Sequence, residues 1–176
     1  GDKGVSWYLG VSVKRDYEKG TITLSQRQYV KDLLSRFRME DCKVASTPME
    51  VGQRLTSEDC PPPEQADKET VRNYQQMLGS MMYLVSWTRS DCAHAVSKCV
   101  LYMANPGPLH IKAAKRILQY LKGTQDLGLT YHRECSTPNQ LYAFADADYA
   151  GDIEGRRSVT GYVVLLNGAA ISWQSN

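Results

Sequence analysis

The chain reads as an α+β protein: a β-hairpin at the N-terminus, about four helices in the middle, and a three-stranded sheet at the C-terminus. Three observations carry that reading. Aromatic and β-branched runs fill residues 7–13 and 21–24. Apolar residues then recur every three or four positions in separate stretches between residues 26 and 121. Two β-rich runs around Asn167-Gly168 close the sequence. Strands, then helices, then strands again point to segregated layers, not to βαβ alternation.

Each element has a local reason. Residues 7–13 (WYLGVSV) and 21–24 (TITL) flank a polar stretch ending in Gly20, which predicts a hairpin with a long loop. Ser25-x-x-Gln28 has the form of a capping box, and Tyr29, Val30, Leu33, Leu34 and Phe37 follow at helical spacing. A helix over 26–37 results, with Arg27, Lys31, Arg36 and Arg38 on its outer face. Residues 40–68 have no period and contain Ser46-Thr47-Pro48, Gly52 and Pro61-Pro62-Pro63. They predict a long exposed connection that wraps a surface or separates subdomains.

A helix over 69–86 turns Val71, Tyr74, Met77, Leu78, Met81, Met82 and Val85 inward, with Gly79-Ser80 allowing a close helix–helix approach. Ser90 is the expected N-cap of the next helix, with Asp91 in its first turn. That helix presents Cys92, Ala95, Val96, Cys99, Val100 and Met103 and stops at Asn105-Pro106-Gly107. Pro108 opens the last helix, which ends at Gly123 with Ile111, Ala114, Ile117, Leu118 and Leu121 on its inner stripe. Residues 127–131 form a short strand, and 132–139 are rich in turn formers. Strands over 141–147, 160–166 and 169–173 follow, the last two joined by the strong turn signal Asn167-Gly168. No helix follows to cover this sheet, so it is expected to be marginal by itself.

Composition sets outer bounds. With 42% hydrophobic and 23% charged residues and a mean hydropathy of -0.44, the 176-residue chain is globular in type, which excludes bulk disorder. No apolar run approaches the ~18 residues a bilayer span needs, so no membrane partner is expected. The first residues, Gly1-Asp2-Lys3-Gly4, lack a signal pattern and a methionine, as expected of an excised piece. Five cysteines without CxxC spacing read as small buried thiols of a reduced intracellular protein. The net charge of +2 is mild, but its distribution is not. Residues 105–125 hold Lys112, Lys115, Arg116 and Lys122 and no acid, whereas 140–155 hold Asp146, Asp148, Asp152 and Glu154 and no base.

The sharpest chemical feature is Phe144-Ala145-Asp146-Ala147-Asp148-Tyr149-Ala150-Gly151-Asp152. An apolar strand that delivers a carboxylate among small residues can present a ligand to Mg²⁺, a hard ion that prefers carboxylate oxygen. A polar loop after an edge strand has the same composition. The basic block likewise has two readings, as a solvated helix face or as a contact for a nucleic-acid backbone. Trp7, Trp87 and Trp173 suit a core or a stacking platform. His94 suits packing or the surface, and His110, in a basic helix, suits a phosphate.

An ordered set of motifs bears on these alternatives. It comprises Tyr8-Leu9-Gly10-Val11, Leu24-Ser25-Gln26-x-x-Tyr29-Val30, Ser46-Thr47-Pro48-Met49, Tyr74-x-x-x-Leu78-Gly79-Ser80-x-x-Tyr83-Leu84 and Thr88-Arg89-Ser90-Asp91. Ala113-Ala114-Lys115-Arg116-Ile117-Leu118-x-Tyr120-Leu121-Lys122-Gly123-Thr124, the Asp146 run and Arg157-Ser158-x-Thr160-Gly161-Tyr162 complete it. Across essentially the whole chain this order resembles the Pol polyprotein of copia-type LTR retrotransposons, from the end of the reverse transcriptase palm into the start of ribonuclease H.

The resemblance implies a division into 1–45 (end of the palm, primer-grip hairpin and first thumb helix), 46–68 (extended connection), 69–126 (helical thumb and tether), 127–139 (linker) and 140–176 (N-terminal part of ribonuclease H). It implies that Tyr8, Leu9 and Gly10 are similar to the primer grip, that the helices look like a thumb whose Lys112, Lys115, Arg116 and Lys122 meet nucleic acid, and that Asp146 matches the first catalytic, metal-binding aspartate. The parent enzyme would use Mg²⁺, act on primer-template and RNA–DNA hybrid, and work with the rest of the polyprotein inside the cell, in a cytoplasmic virus-like particle or the nucleus. The chain has no Asp-Asp pair for a Tyr-x-Asp-Asp turn, and the further ribonuclease H carboxylates are expected beyond Asn176. The isolated piece is therefore expected to be inactive. The alternative is a non-catalytic nucleic-acid-binding or interaction module from a decayed or domesticated element.

Overall fold

A computed structural model describes residues 5–133, 139–148 and 159–175. It has the expected α+β class, with four helices and two antiparallel sheets among the described residues. The chain divides into two compact units. One comprises residues 1–29, 87–90 and 126–176; the other comprises 30–86 and 91–125.

The first unit is built on a four-stranded sheet of order β1-β2-β3-β4, made of Val5–Tyr8, Val11–Asp16, Thr21–Ser25 and Gly128–His132. The single strand expected over 7–13 is in fact broken. Leu9 and Gly10 have φ of +48° and +78°, so the chain reverses there and Tyr8 pairs with Val11. Two positive φ values in a two-residue connection are the twist-compatible hairpin form, which Gly10 accommodates freely and Leu9 does not. The long loop before Thr21 shrinks to four residues, because β2 runs on to Asp16, whose Oδ1 accepts from Lys19 N–H at 2.9 Å. The short strand expected near residue 128 is present and zips onto β3, from Thr21↔His132 to Ser25↔Gly128. Gly128 fits because its backbone lies against the Leu24 carbonyl, where a Cβ would come within 2.2 Å.

The second sheet of this unit has order β5-β6-β7, from Leu141–Asp148, Val159–Leu166 and Ala169–Ser175. Asn167 and Gly168, at φ +50° and +86°, make the expected tight turn. That turn end is fixed to β4. The His132 N–H donates to the Asn167 carbonyl at 3.0 Å, and the Tyr131 hydroxyl donates to the Ala170 carbonyl at 2.7 Å.

The second unit holds most of α1 (Arg27–Arg36) and α2 (Lys68–Trp87), together with α3 (Ala93–Val100) and α4 (Pro108–Gly123). Leu33, Leu34, Leu78, Met81, Leu84, Val96, Ile117 and Leu118 supply its buried side chains. At roughly 1.5–3 kcal/mol per buried aliphatic side chain, this is the main source of its stability. Several local expectations shift. Gly79 has open space beside it and no close helix; the buried neighbour is Ser80, which accepts from Arg36 Nη1 at 3.3 Å. Met82 is exposed, and Leu84 takes the inner place. Helix α1 begins at Arg27, so Gln26 stands at its cap. Ser25 Oγ accepts from Arg27 N–H at 3.3 Å. Ser90 opens a single 3₁₀ turn that runs into α3.

Residues 40–66 wrap the helices of this unit and do not hang free. Ala45 N–H donates to the Gln119 carbonyl, Tyr102 Oη to the Leu55 carbonyl and Asn105 Nδ2 to the Pro61 carbonyl, at 3.3, 2.7 and 2.8 Å. Asp67 caps α2, its carboxylate accepting from the Thr70 N–H at 2.9 Å and the Thr70 hydroxyl at 2.6 Å. Those hydrogen bonds hold its carboxyl below the usual aspartate value.

Candidate functional site

Asp146 lies on β5 opposite Gly161 of β6, so its backbone is held by the sheet ladder. Alternation along β5 places Tyr142, Phe144 and Asp146 on one side of the strand. Phe144 is 60% exposed and Asp146 is also exposed, so the carboxylate stands at the solvent end of an apolar strip. Gly161, its partner across the ladder, carries no side chain toward the carboxylate. Asp148 continues the strand, paired with Val159. Tyr149, Asp152, Glu154, Arg157 and Ser158, and also Cys135, lie outside the described residues. Among the described residues no group of three or more potential metal ligands forms. Asp146 is suited by chemistry to be one Mg²⁺ ligand, but one carboxylate does not complete a site.

Tyr8, Leu9 and Gly10 form the turn between β1 and β2. Tyr8 and Leu9 are exposed at its tip, and the Tyr8 ring meets Trp87 edge-on at 6.3 Å and 64°. This contact needs only the apolar packing of two rings. Trp7 is 60% exposed, which removes it from the core.

The basic block of α4 separates into two pairs. Lys112 and Lys115 are exposed. Arg116 bonds to Glu50 Oε1 at 3.0 Å and Thr47 Oγ1 at 3.1 Å, and Lys122 Nζ to the Cys42 carbonyl at 2.7 Å. Half of the block therefore fastens the wrapping segment to α4. His110 is not a phosphate ligand: it is fully buried, its Nδ1 accepts from Gly107 N–H at 2.9 Å, and its ring stacks on Tyr102 at 4.0 Å. It caps the helix whose cap residue is a glycine with no side chain to do so. His94 is on the surface.

The chain is 38% identical over 168 residues to the retrovirus-related Pol polyprotein from transposon TNT 1-94 of Nicotiana tabacum, covering 95% of this chain and 12% of that protein. With the corresponding polyprotein from transposon RE2 of Arabidopsis thaliana it shares 37% over 172 residues, 96% of this chain and 11% of the relative. The chain belongs to the copia-type retrotransposon Pol polyproteins. It spans about a tenth of the length of these curated relatives. An uncharacterized mitochondrial protein of Arabidopsis thaliana is 32% identical over 171 residues, and the chain covers 67% of it. No protein-family model and no solved structure matches the chain. Within this Pol segment no helix is long and apolar enough to cross a membrane, among the described residues.

One group of side chains in the helical unit is not foreseeable from the residue pattern. Arg36 and Arg38, which the sequence marks only as part of an outer face, line an open cleft of 640 Å³ together with Lys115. Arg38 is set apart by its positive φ, and no residue pattern announces an arginine in that conformation.

Proposed function

We propose that this Pol segment serves the reverse transcriptase and ribonuclease H of a copia-type element, the parent enzyme copying RNA into DNA and removing the RNA strand of RNA–DNA hybrids. On this reading the Tyr8-Leu9-Gly10 turn holds the primer, the four-helix unit is the thumb with its tether, and β5–β7 begin the ribonuclease H sheet. The observation that carries the proposal is the match to two Pol polyproteins over at least 95% of the chain, with Asp146 held on an exposed strand position. In the parent, Asp146 would supply one carboxylate to Mg²⁺. The remaining ligands would come from outside the described residues, and the isolated chain would be catalytically silent.

The test is hybrid cleavage by the parent enzyme against Mg²⁺ concentration. Asp146→Asn should abolish cleavage and spare DNA synthesis, because the resemblance puts the metal ligand at the first aspartate after the apolar run; rigidity does not separate the two, since Asp148, expected where the strand gives way, is held in the same ladder. Asp148→Asn should cost much less. A dead Asp148→Asn enzyme beside an active Asp146→Asn enzyme would move the ligand two residues along the strand.

A second reading has its own support. The mitochondrial relative is mostly covered by this chain, so the segment also recurs in a protein far shorter than Pol. A non-catalytic nucleic-acid-binding or interaction module would fit that setting.

A further inference from the structure

Thr47 lies in the segment that wraps the helices, within Ser46-Thr47-Pro48-Met49. It is exposed, and residues 46–49 form a bend outside any helix or strand. A hydroxyl so placed is open to a modifying enzyme that binds extended chain. Pro48 narrows the class of enzyme. Thr-Pro is the acceptor pair of proline-directed protein kinases, whose clefts leave no partner for an N–H after the hydroxyl, a group that Pro lacks. Thr137-Pro138 is a second such pair and lies outside the described residues.

The arginine behind Thr47 sets it apart. Arg116 of α4 donates from Nη2 to Thr47 Oγ1 at 3.1 Å and from Nη1 to Glu50 Oε1 at 3.0 Å. In a guanidinium, Nε–H and one Nη2–H point the same way and form a side-on fork that grips two oxygens of one anion. Here one arm of the fork holds Thr47 Oγ1. The other arm, Nε, is buried with no hydrogen-bond partner among the described residues. An unmet buried donor costs stability. A phosphate on Oγ1 brings three further oxygens and serves both arms. The charge agrees. A cleft of 480 Å³ beside the fork is lined by Lys112, Lys115 and Arg116 against one acid, Glu50, a net +2. Phosphothreonine brings roughly −1.5 to −2 at neutral pH.

We propose that Thr47 is a phosphorylation site for a proline-directed protein kinase, and that Arg116 is the receptor of the phosphate, which locks residues 40–66 onto α4. The γ-phosphoryl group of a nucleoside triphosphate passes to Thr47 Oγ1. The new P–O bond replaces the one to the departing nucleoside diphosphate, and the hydroxyl proton goes to the kinase. The Thr47 hydroxyl then stops donating to the Met49 carbonyl, a 2.8 Å bond that closes the bend, and the charged pair with Arg116 takes over. This adds to the Ala45–Gln119 and Lys122–Cys42 hydrogen bonds that already fasten the segment. Neither nucleic acid nor Asp146 enters, so the regulation holds for a parent enzyme and for a non-catalytic module alike.

In the experiment the folded full chain is incubated with a purified proline-directed kinase and Mg-ATP, and the site is read by fragment mass. Phosphate should appear on Thr47. By phosphorus NMR, that phosphate should titrate about one unit or more lower in wild type than in Arg116→Gln, because the facing cation favours its dianion. Arg116→Lys keeps the charge and loses the fork, so it should fall between; it also carries the comparison if Arg116→Gln fails to fold. The Ala45 and Gln53 amides, which donate to the Gln119 and Glu50 carbonyls, should exchange roughly tenfold more slowly after modification, and should not slow in Arg116→Gln. Labelling of Ser46 or Thr137 alone, or of Thr47 only once the chain is unfolded, would overturn the site. A phosphate that titrates alike in wild type and both Arg116 variants, or an Ala45 amide that fails to slow, would overturn the receptor and leave Thr47 a turn residue of the wrapping segment.

Discussion

Tyr74 and Cys99 share one buried place, where the Tyr74 hydroxyl donates to the Cys99 carbonyl at 2.8 Å. Burial raises the phenol well above its ordinary value, and nearby Cys99 adds to the effect. Burial also pushes the Cys99 thiol up from 9.0 to about 11, against a smaller opposing effect of the Tyr74 hydrogen bond. The unfolded thiol releases its proton near pH 9 and the folded one near 11, so across that window the unfolded state binds fewer protons and stability falls as pH rises. That separation corresponds to about 3 kcal/mol, lost mainly between pH 9 and 11. Urea midpoints between pH 8 and 11 should show this decline, and Cys99→Ala should make it shallower; an unchanged decline would remove Cys99 as its cause. Single residues also mark the limit of what the sequence discloses. Asn167-Gly168 announces its turn because both residues accept positive φ, whereas Leu9 and Arg38 hold the same conformation with side chains that seldom adopt it.

Helices were legible nearly to their ends because a buried stripe at period 3.6 repeats several times within each, as Tyr74, Met77, Leu78 and Met81 do in α2. Strands were less so: β1 and β2 form one unbroken apolar run in sequence, and only Gly10 hints at the reversal. The pairing of β4 with β3 was not legible, since the partners are separated by the whole helical region and no local pattern encodes that register. Asp146 was placed correctly on its strand by its apolar run, but the division of the basic block was not foreseen, because Arg116 and Lys122 find partners in a distant segment. Gly128 is the residue that lets β4 close on β3. In Gly128→Ala, the new methyl would stand 2.2 Å from the Leu24 carbonyl oxygen, a backbone atom that cannot step aside cheaply. Overpacking of this kind costs about 1–3 kcal/mol. Denaturant unfolding should show that loss, with weakened exchange protection across 128–132; a change under about 0.5 kcal/mol, within the usual range for surface substitutions, would mean that the strands separate locally without consequence.

At the scale of the molecule, the chain weaves its two units from non-contiguous pieces, the sheet-bearing one gathering residues 1–29, 87–90 and 126–176. The C-terminal sheet, expected to stand without cover, is anchored at the end that carries its tight turn. Near the Asn167-Gly168 turn, Ala169 and Ala170 are 5% and 6% exposed, and two hydrogen bonds tie this end to β4. Across the sheet on β5, Leu141 and Phe144 are 61% and 60% exposed, and β5 has β6 as its one strand partner among the described residues. A strand with exposed apolar side chains and few buried contacts opens at lower free energy than one packed on both sides. Native-state hydrogen exchange should therefore grade across this sheet. Amides at 169–170 and in β4 should exchange more slowly than those of β5, and β5 should exchange faster than the buried core of α2 and α4. The contrast should persist at low denaturant, because it arises from local opening and not from global unfolding. Protection of β5 equal to that of α4 would mean that its exposed apolar side chains are covered in solution, and would locate the cover by the residues whose exchange slows with it.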